Sequence, residues 1–249
     1  MKGLLRRTWT RLYDQTVGTR DFWYLALQNL VYYRCLTPIL ARHVRGRTLD
    51  LGAGKLAWRG PLRLYCDTYL SADVAREHPD LDYVFDLTGP VPLEADSVDT
   101  IFCNSVLEHV QDPAVGLSQI YGILKPDGKV LLSVPFLFYL HGQPHDYYRF
   151  TPAGIAMLCR RAGFEIVEST CVGGYASNLL NAPSLVTSVL LALAGLRRAI
   201  PWATRAWTAM GTLLDRVLDP QQLFASNAVV VLRKPRAASA AAPSQGKAA

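Results

Sequence analysis

No Cys-x-x-Cys pair occurs among the cysteines Cys35, Cys66, Cys103, Cys159 and Cys171. An odd number at scattered positions supports neither a zinc site nor a disulfide framework, and it fits a reducing compartment. No apolar signal-peptide core follows Lys2, Arg6 and Arg7, because charges recur at Arg11, Asp14, Arg20 and Asp21. A cytoplasmic protein is the expectation. Nor is there a dense run of lysine and arginine, although the formal net charge is +6. A positive sign without such a run suits an anionic lipid or substrate and argues against nucleic acid as a partner.

What is present is enough for a full core: 249 residues, half of them hydrophobic, suit one α/β domain with additions. The organising stretch is Thr48-Leu49-Asp50-Leu51-Gly52-Ala53-Gly54-Lys55. It is an apolar run too short for a helix that carries an acid and runs into two glycines, so it reads as a buried strand feeding a tight turn, with a helix expected after it. Gly52-x-Gly54-x-x-Ala57 also satisfies the relaxed dinucleotide fingerprint, which leaves a nicotinamide-dependent oxidoreductase open at this point.

Two further strands end in carboxylates, Tyr69 to Asp73 and Tyr83 to Asp86. Asp73 lies about twenty residues past the turn, where a ribose would be held, and both acids fall at the strand edge where open α/β sheets bind ligands. Asp99 to Asn104 reads as a fourth strand, and a helix is expected near Asp112 with Pro113 in its first turn. Val115, Leu117, Ile120 and Ile123 or Leu124 would face the sheet. Lys125-Pro126-Asp127-Gly128 stops that helix, and Val130 to Phe136 reads as a fifth, buried strand.

The segments LDLGAG, Asp73, Asp86, VDTIFCNSVLEHVQDP and ILKPDGKVLLSVPF together resemble a class I S-adenosylmethionine-dependent methyltransferase of the small-molecule type, with a methyltransferase type 11-like domain. The resemblance covers about residues 45 to 175. It implies an α/β, Rossmann-like, seven-stranded and mostly parallel sheet, with helices on both faces and a final antiparallel strand pair. The sixth strand would be Phe164 to Thr170 and the seventh Ala228 to Leu232.

The implied cofactor is S-adenosyl-L-methionine. By resemblance, the Gly52 and Gly54 backbone would face its methionine part and ribose, with Asp50 holding the turn or the amino group. Asp73, beside Val74, would hold the ribose hydroxyls, Asp86 and the Leu87 backbone would meet the adenine edge, and Asn104 and Ser105 would present backbone groups to the methionyl portion. No metal is implied. Methyl transfer needs mainly alignment, desolvation and, for a hydroxyl acceptor, a base.

Candidate catalytic residues are His109 and His145, since histidine titrates near neutrality. His141, Asp146, Tyr148 and Arg149 are candidates for substrate binding, because they follow the fifth strand, where an acceptor must meet the methyl group. The competing reading packs His109 under the cofactor and makes HDYYRF a structural lid with Arg149 paired to Asp146. Glu108 is assigned a structural role as a loop anchor.

The domain organisation expected is a helical cap over 1–46, a methyltransferase core over 47–172, a hydrophobic helical insertion over 173–226, the last strand over 227–234 and a disordered tail over 235–249. Leu179 to Leu196 has no charge; Pro183 is expected to open a helix there that is too short to span a membrane, and a second helix is expected over about Ala203 to Leu218. Arg197, Arg198, Trp202 and Trp207 beside this stretch suit an anionic membrane surface, with a lipid-linked acceptor. A small soluble acceptor, a homodimer interface and a non-catalytic cofactor-binding subunit are the alternatives.

Overall fold

The computed structural model describes residues 2–236. Most of the expected tail, from 237 onward, lies outside the described residues. The chain opens with α1 (Lys2–Thr16), a single-turn segment Arg20–Tyr24, and α2 (Leu27–His43). β1 (Arg47–Leu51) runs into the glycine turn, followed by α3 (Arg59–Arg63), β2 (Thr68–Asp73), β3 (Tyr83–Val84) and β4 (Val98–Asn104). α4 (Pro113–Ile123), β5 (Leu124–Pro135), α5 (Pro152–Arg161) and β6 (Glu165–Val172) come next. The chain then makes a helical hairpin, α6 (Tyr175–Leu193) and α7 (Ile200–Leu218), and returns as β7 (Asn227–Arg233).

The seven strands form one sheet in the order β3-β2-β1-β4-β5-β7-β6. β7 runs antiparallel to both neighbours and the other pairings are parallel. The architecture is therefore the Rossmann-like one that the motifs implied. Alternation along the strands divides the core. Leu49, Leu51, Ile101, Cys103, Val130 and Leu132 pack with Leu117, Ile120 and Ile155 on one face. Phe102, Leu131, Val229 and Val231 pack with Leu36, Leu40 and Trp58 on the other. Strand segments buried on both faces read as continuous apolar runs, as in Ile101 to Cys103 of β4, Val130 to Leu132 of β5 and Ala228 to Leu232 of β7.

Three local expectations are corrected. The glycine turn does not open directly into a helix: Leu56 takes a left-handed conformation at φ +60 and only the five residues of α3 follow. Val115 is 38% exposed, and Gly116 faces the sheet with Leu117, Ile120 and Ile123. A side chain at Gly116 would crowd Leu87, since a Cβ there would lie 3.1 Å from Leu87 Cδ2. Pro183 lies inside α6 rather than at its start, because the helix already begins at Tyr175. With 19 residues, α6 is long and apolar enough to cross a membrane by length and composition, contrary to the short helix expected.

The N-terminal helices pack against the insertion. Ala26 precedes α2 and has no side-chain oxygen to cap it. Ser184 Oγ accepts from Leu27 N at 2.9 Å and Asn181 Oδ1 from Gln28 N at 3.1 Å, so α6 satisfies the first free amides of α2. Asp215 of α7 in turn accepts from Ala176 N at 2.7 Å and Ser177 N at 3.2 Å, closing the start of α6, which follows Gly174.

Candidate cofactor and acceptor site

The glycine turn folds over the end of β2. Gly52 N and Ala53 N both donate to Ala72 O, at 2.8 and 3.0 Å. Gly52 has φ +75, and a Cβ there would overlap Val106 Cγ2, so the position requires glycine on both counts. Asp73 Oδ2 accepts from Gly54 N and Oδ1 from Val74 N, each at 2.7 Å. Each oxygen keeps a further lone pair for a diol. Asp86 Oδ1 accepts from Thr88 N and Thr88 Oγ1, both at 2.8 Å, which fixes the turn after β3.

These residues line a cavity of about 520 Å³ whose walls include Gly52, Asp73, Val74, Phe85, Asp86, Leu87, Ser105 and Val106. Asp50 sits beneath it, 2% exposed, and accepts from Tyr69 Oη at 2.8 Å. Burial pushes the Asp50 carboxyl up to about 7, against the opposing effect of the Tyr69 hydrogen bond. Its place is thus under the turn and not among the cavity walls.

A second cavity of about 330 Å³ shares Gly52 and Ser105 with the first, so the two adjoin there. Its walls include Tyr32 and Asn29 from α2, Trp58, Asn104, Tyr139, His141, and Asn181 and Leu185 from α6. Tyr32 Oη donates to Asn104 Oδ1 at 2.6 Å and also meets Ser133 Oγ, tying α2 to the ends of β4 and β5. Burial holds the Tyr32 phenol above its usual range. Ser105 reaches both cavities from a left-handed conformation, φ +54, with its amide donating to Ser133 O at 2.9 Å.

The histidines divide between the cavities. His109 and His145 line the larger one and His141 the smaller. Asp146, Tyr148 and Arg149 line neither among the described residues. They brace the loop after β5. Arg149 Nη1 and Nη2 donate to Asp146 Oδ1 and Oδ2 at 2.6 and 2.8 Å, and Arg149 also binds the carbonyls of Phe138, Tyr139 and Tyr148. The guanidinium holds the Asp146 carboxyl well below the usual carboxylate range. Tyr148 Oη donates to Gln111 O at 2.8 Å. This arrangement is the braced lid, with Arg149 paired to Asp146.

Glu108 is more than a loop anchor. Its carbonyl does anchor the loop, accepting from Tyr147 N at 2.8 Å and Tyr148 N at 3.2 Å. Its carboxylate, however, is 0% exposed, and neither oxygen has a hydrogen-bond partner among the described residues. Glu108 Oε1 faces His141 Nε2 at 3.4 Å and His109 Nε2 at 3.8 Å, and it pushes the His141 imidazole up. The glutamate in the LEH segment gave a local signal. Tyr32, Trp58 and Asn181 gave none, because contacts between distant parts of the chain bring them to the site.

The lining suits S-adenosylmethionine: one acid at the end of β2 and one in the turn after β3, apolar Phe85 and Leu87 flanking Asp86 in sequence, and a turn in which a Cβ at Gly52 would collide with Val106. The profile of a family described as a methyltransferase domain matches residues 29–169. The ubiquinone biosynthesis O-methyltransferase of Neisseria meningitidis serogroup C is 28% identical over 123 residues, covering 40% of this chain and 52% of that protein. The tRNA U34 carboxymethyltransferase of Sulfurimonas denitrificans is 34% identical over 103 residues, covering 35% of this chain and 34% of that one. The matches thus span about half of the former's length and a third of the latter's. Phosphoethanolamine N-methyltransferase 2 of Haemonchus contortus, in complex with S-adenosyl-L-methionine, superposes with a TM-score of 0.55 at 18% identity, over 92% of this chain and 60% of that chain. That likeness concerns the fold.

Proposed function

The chain belongs to the methyltransferase-domain family, of the class I S-adenosylmethionine-dependent kind, and on that premise we propose that it methylates an oxygen of a lipid-borne acceptor at an anionic membrane surface. The observation that carries this reading is the hairpin of α6 and α7, which is built inside out. Most of its buried positions are small or hydroxylated, Ala176, Ser177, Ser184 and Ser188 on α6 and Thr204, Thr208 and Gly211 on α7, with Val189 and Ile200 the two large apolar residues among them. Its exposed positions include many large apolar residues, Leu179, Val186, Leu190 and Leu193 on α6 and Trp202, Met210, Leu213 and Val217 on α7, beside small residues and Arg216. In water the opposite distribution is the stable one; small residues between helices with leucine outside suit an apolar surrounding. Arg197 and Arg198, exposed at the hairpin's end, suit anionic headgroups.

The same hairpin supplies Asn181 and Leu185 to the smaller cavity, so the element offered to the membrane also walls the acceptor site. A lipid bearing a hydroxyl would reach the methyl group without leaving its layer. The relative active in ubiquinone biosynthesis is an O-methyltransferase, which supports oxygen as the receiving atom. When bound, S-adenosylmethionine supplies a methyl group on a cationic sulfur. The chain's own part is alignment at the Gly52–Ser105 junction and exclusion of water by Tyr32 and Trp58. The nicotinamide alternative loses its basis, since no long helix starts at the glycine turn to receive a pyrophosphate.

Flotation tests the acceptor reading. Full-length protein should rise with vesicles containing phosphatidylglycerol and stay down with neutral vesicles in high salt. The pair Leu213→Glu and Val217→Glu, both at exposed positions, should abolish flotation while leaving affinity for S-adenosylhomocysteine near wild type. A wild-type protein that ignores anionic vesicles removes the membrane-borne acceptor and leaves the methyltransferase assignment standing.

A further inference from the structure

We propose that Glu108, His109 and His141 form a site for one divalent transition-metal cation of the zinc or manganese kind, at the wall between the two cavities. The tautomers come first. His109 Nδ1 lies 2.7 Å from His145 O, and His141 Nδ1 lies 3.2 Å from Tyr139 O. A carbonyl can only accept, so both Nδ1 atoms carry the proton and both Nε2 atoms of the neutral rings present a lone pair. Those two Nε2 atoms point at the same carboxylate oxygen, Glu108 Oε1. With both rings neutral, three acceptors converge on one point, and the carboxylate is fully buried. Such a group needs a positive partner. Arg149, on the same loop, is occupied by Asp146 and backbone carbonyls.

Distance separates the two possible positive partners. An imidazolium held by a carboxylate closes to about 2.7–2.9 Å. The separations here are 3.4 and 3.8 Å, too long for that bond. Two donors each bound to one ion at about 2.0–2.2 Å in a tetrahedral site stand roughly 3.4 Å apart. All three donor atoms lie within 4.8 Å of one another. Two imidazoles and one carboxylate with coordination positions left over suit zinc, manganese or iron rather than calcium or magnesium. The carbonyls behind the two rings are the outer contacts that orient metal-binding histidines.

The turn is shaped for this approach. Gly142 has φ +63, and a Cβ there would lie 2.6 Å from His109 Cε1, so glycine lets the loop bring His141 against His109. His109 lines the larger cavity and His141 the smaller. An ion between them would hold an acceptor hydroxyl oxygen beside the methyl group and make its proton more acidic; as the O–CH3 bond forms the S–CH3 bond breaks, S-adenosylhomocysteine leaves and the hydroxyl proton passes to solvent. That role rests on the proposed function; the binding site itself does not.

Untagged full-length protein, stripped with a chelator, is titrated with Zn(II) by calorimetry and with Co(II) by visible absorption. One equivalent per chain is expected. Glu108→Gln and His141→Asn should each weaken binding at least about 100-fold, with affinity for S-adenosylhomocysteine near wild type. If Glu108→Gln does not fold, His141→Asn decides alone. No stoichiometric binding to the wild type, or equal binding by His141→Asn, overturns the site, whatever methyl transfer shows.

Discussion

Asp50→Asn should make the protein more resistant to unfolding at pH 8 than the wild type, by a margin that shrinks toward pH 5. The Asp50 carboxyl is buried under the glycine turn and titrates at about 7 in the fold, against about 3.9 in an unfolded chain. A raised carboxyl holds its proton longer when folded. The stability that this contributes is complete below about pH 4, is lost as pH rises through about 7, and stays lost above it. Three units at about 1.4 kcal/mol each amount to roughly 4 kcal/mol, of which roughly 2–3 kcal/mol is lost between pH 5 and pH 8. An amide is never charged, has the same shape and can still accept from Tyr69 Oη. Urea unfolding of both proteins at constant ionic strength from pH 5 to pH 8 measures the difference, in which the titration of all other groups cancels. A difference that changes by less than about 0.5 kcal/mol across that range refutes the claim that Asp50 is held by burial and one hydroxyl.

Gly52→Ala should cost at least about 1–2 kcal/mol for a left-handed alanine, before the overlap with Val106. It should abolish S-adenosylhomocysteine binding in calorimetry; retained affinity would move the cofactor elsewhere. Asp215→Ala should cost about 1–2 kcal/mol in urea unfolding, because two amides at the start of α6 lose their acceptor. A loss below about 0.3 kcal/mol would mean that water caps that helix equally well.

The sheet was legible because its strands are short apolar runs closed by turn chemistry, and because Asp73 and Asp86 recur at the same edge. Burial on both faces writes itself into every residue of such a strand. The helix after the glycine turn was not legible: Lys55-Leu56-Ala57 was visible as a departure, but the left-handed Leu56 that shortens α3 depends on the packing of Leu56, which is 2% exposed. Pro183 misled for a different reason. Proline usually opens a helix, but here Asp215 and Asp219, from beyond the hairpin's turn, already hold the first amides of α6 eight residues earlier. In the site, the acids Asp73 and Asp86 of the larger cavity were readable from spacing. The histidines were readable as a group, and their division between two cavities was not.

That division has a physical origin in where each wall comes from. The larger cavity is built from the ends of β1 and β2, the turns that follow β1 to β4 and part of the loop after β5, so most of its residues are carried by adjacent strands whose register is set by the core. The smaller cavity is closed by α2 and α6, which the chain separates by most of the core; Asn181 and Ser184 of α6 cap the Leu27 and Gln28 amides of α2, and Asn181 also donates to the Gln28 side chain. Changing Asn181 or Leu185 alters the acceptor wall without touching a strand. Changing Asp73 alters the turn that both Gly54 and Val74 depend on. Cofactor binding is therefore coupled to folding of the sheet, whereas acceptor choice is coupled to docking of the cap. A membrane that binds the outer faces of α6 and α7 acts on the second alone. Contact with a bilayer should on this reasoning raise acceptor turnover while leaving cofactor affinity where it stands in free solution.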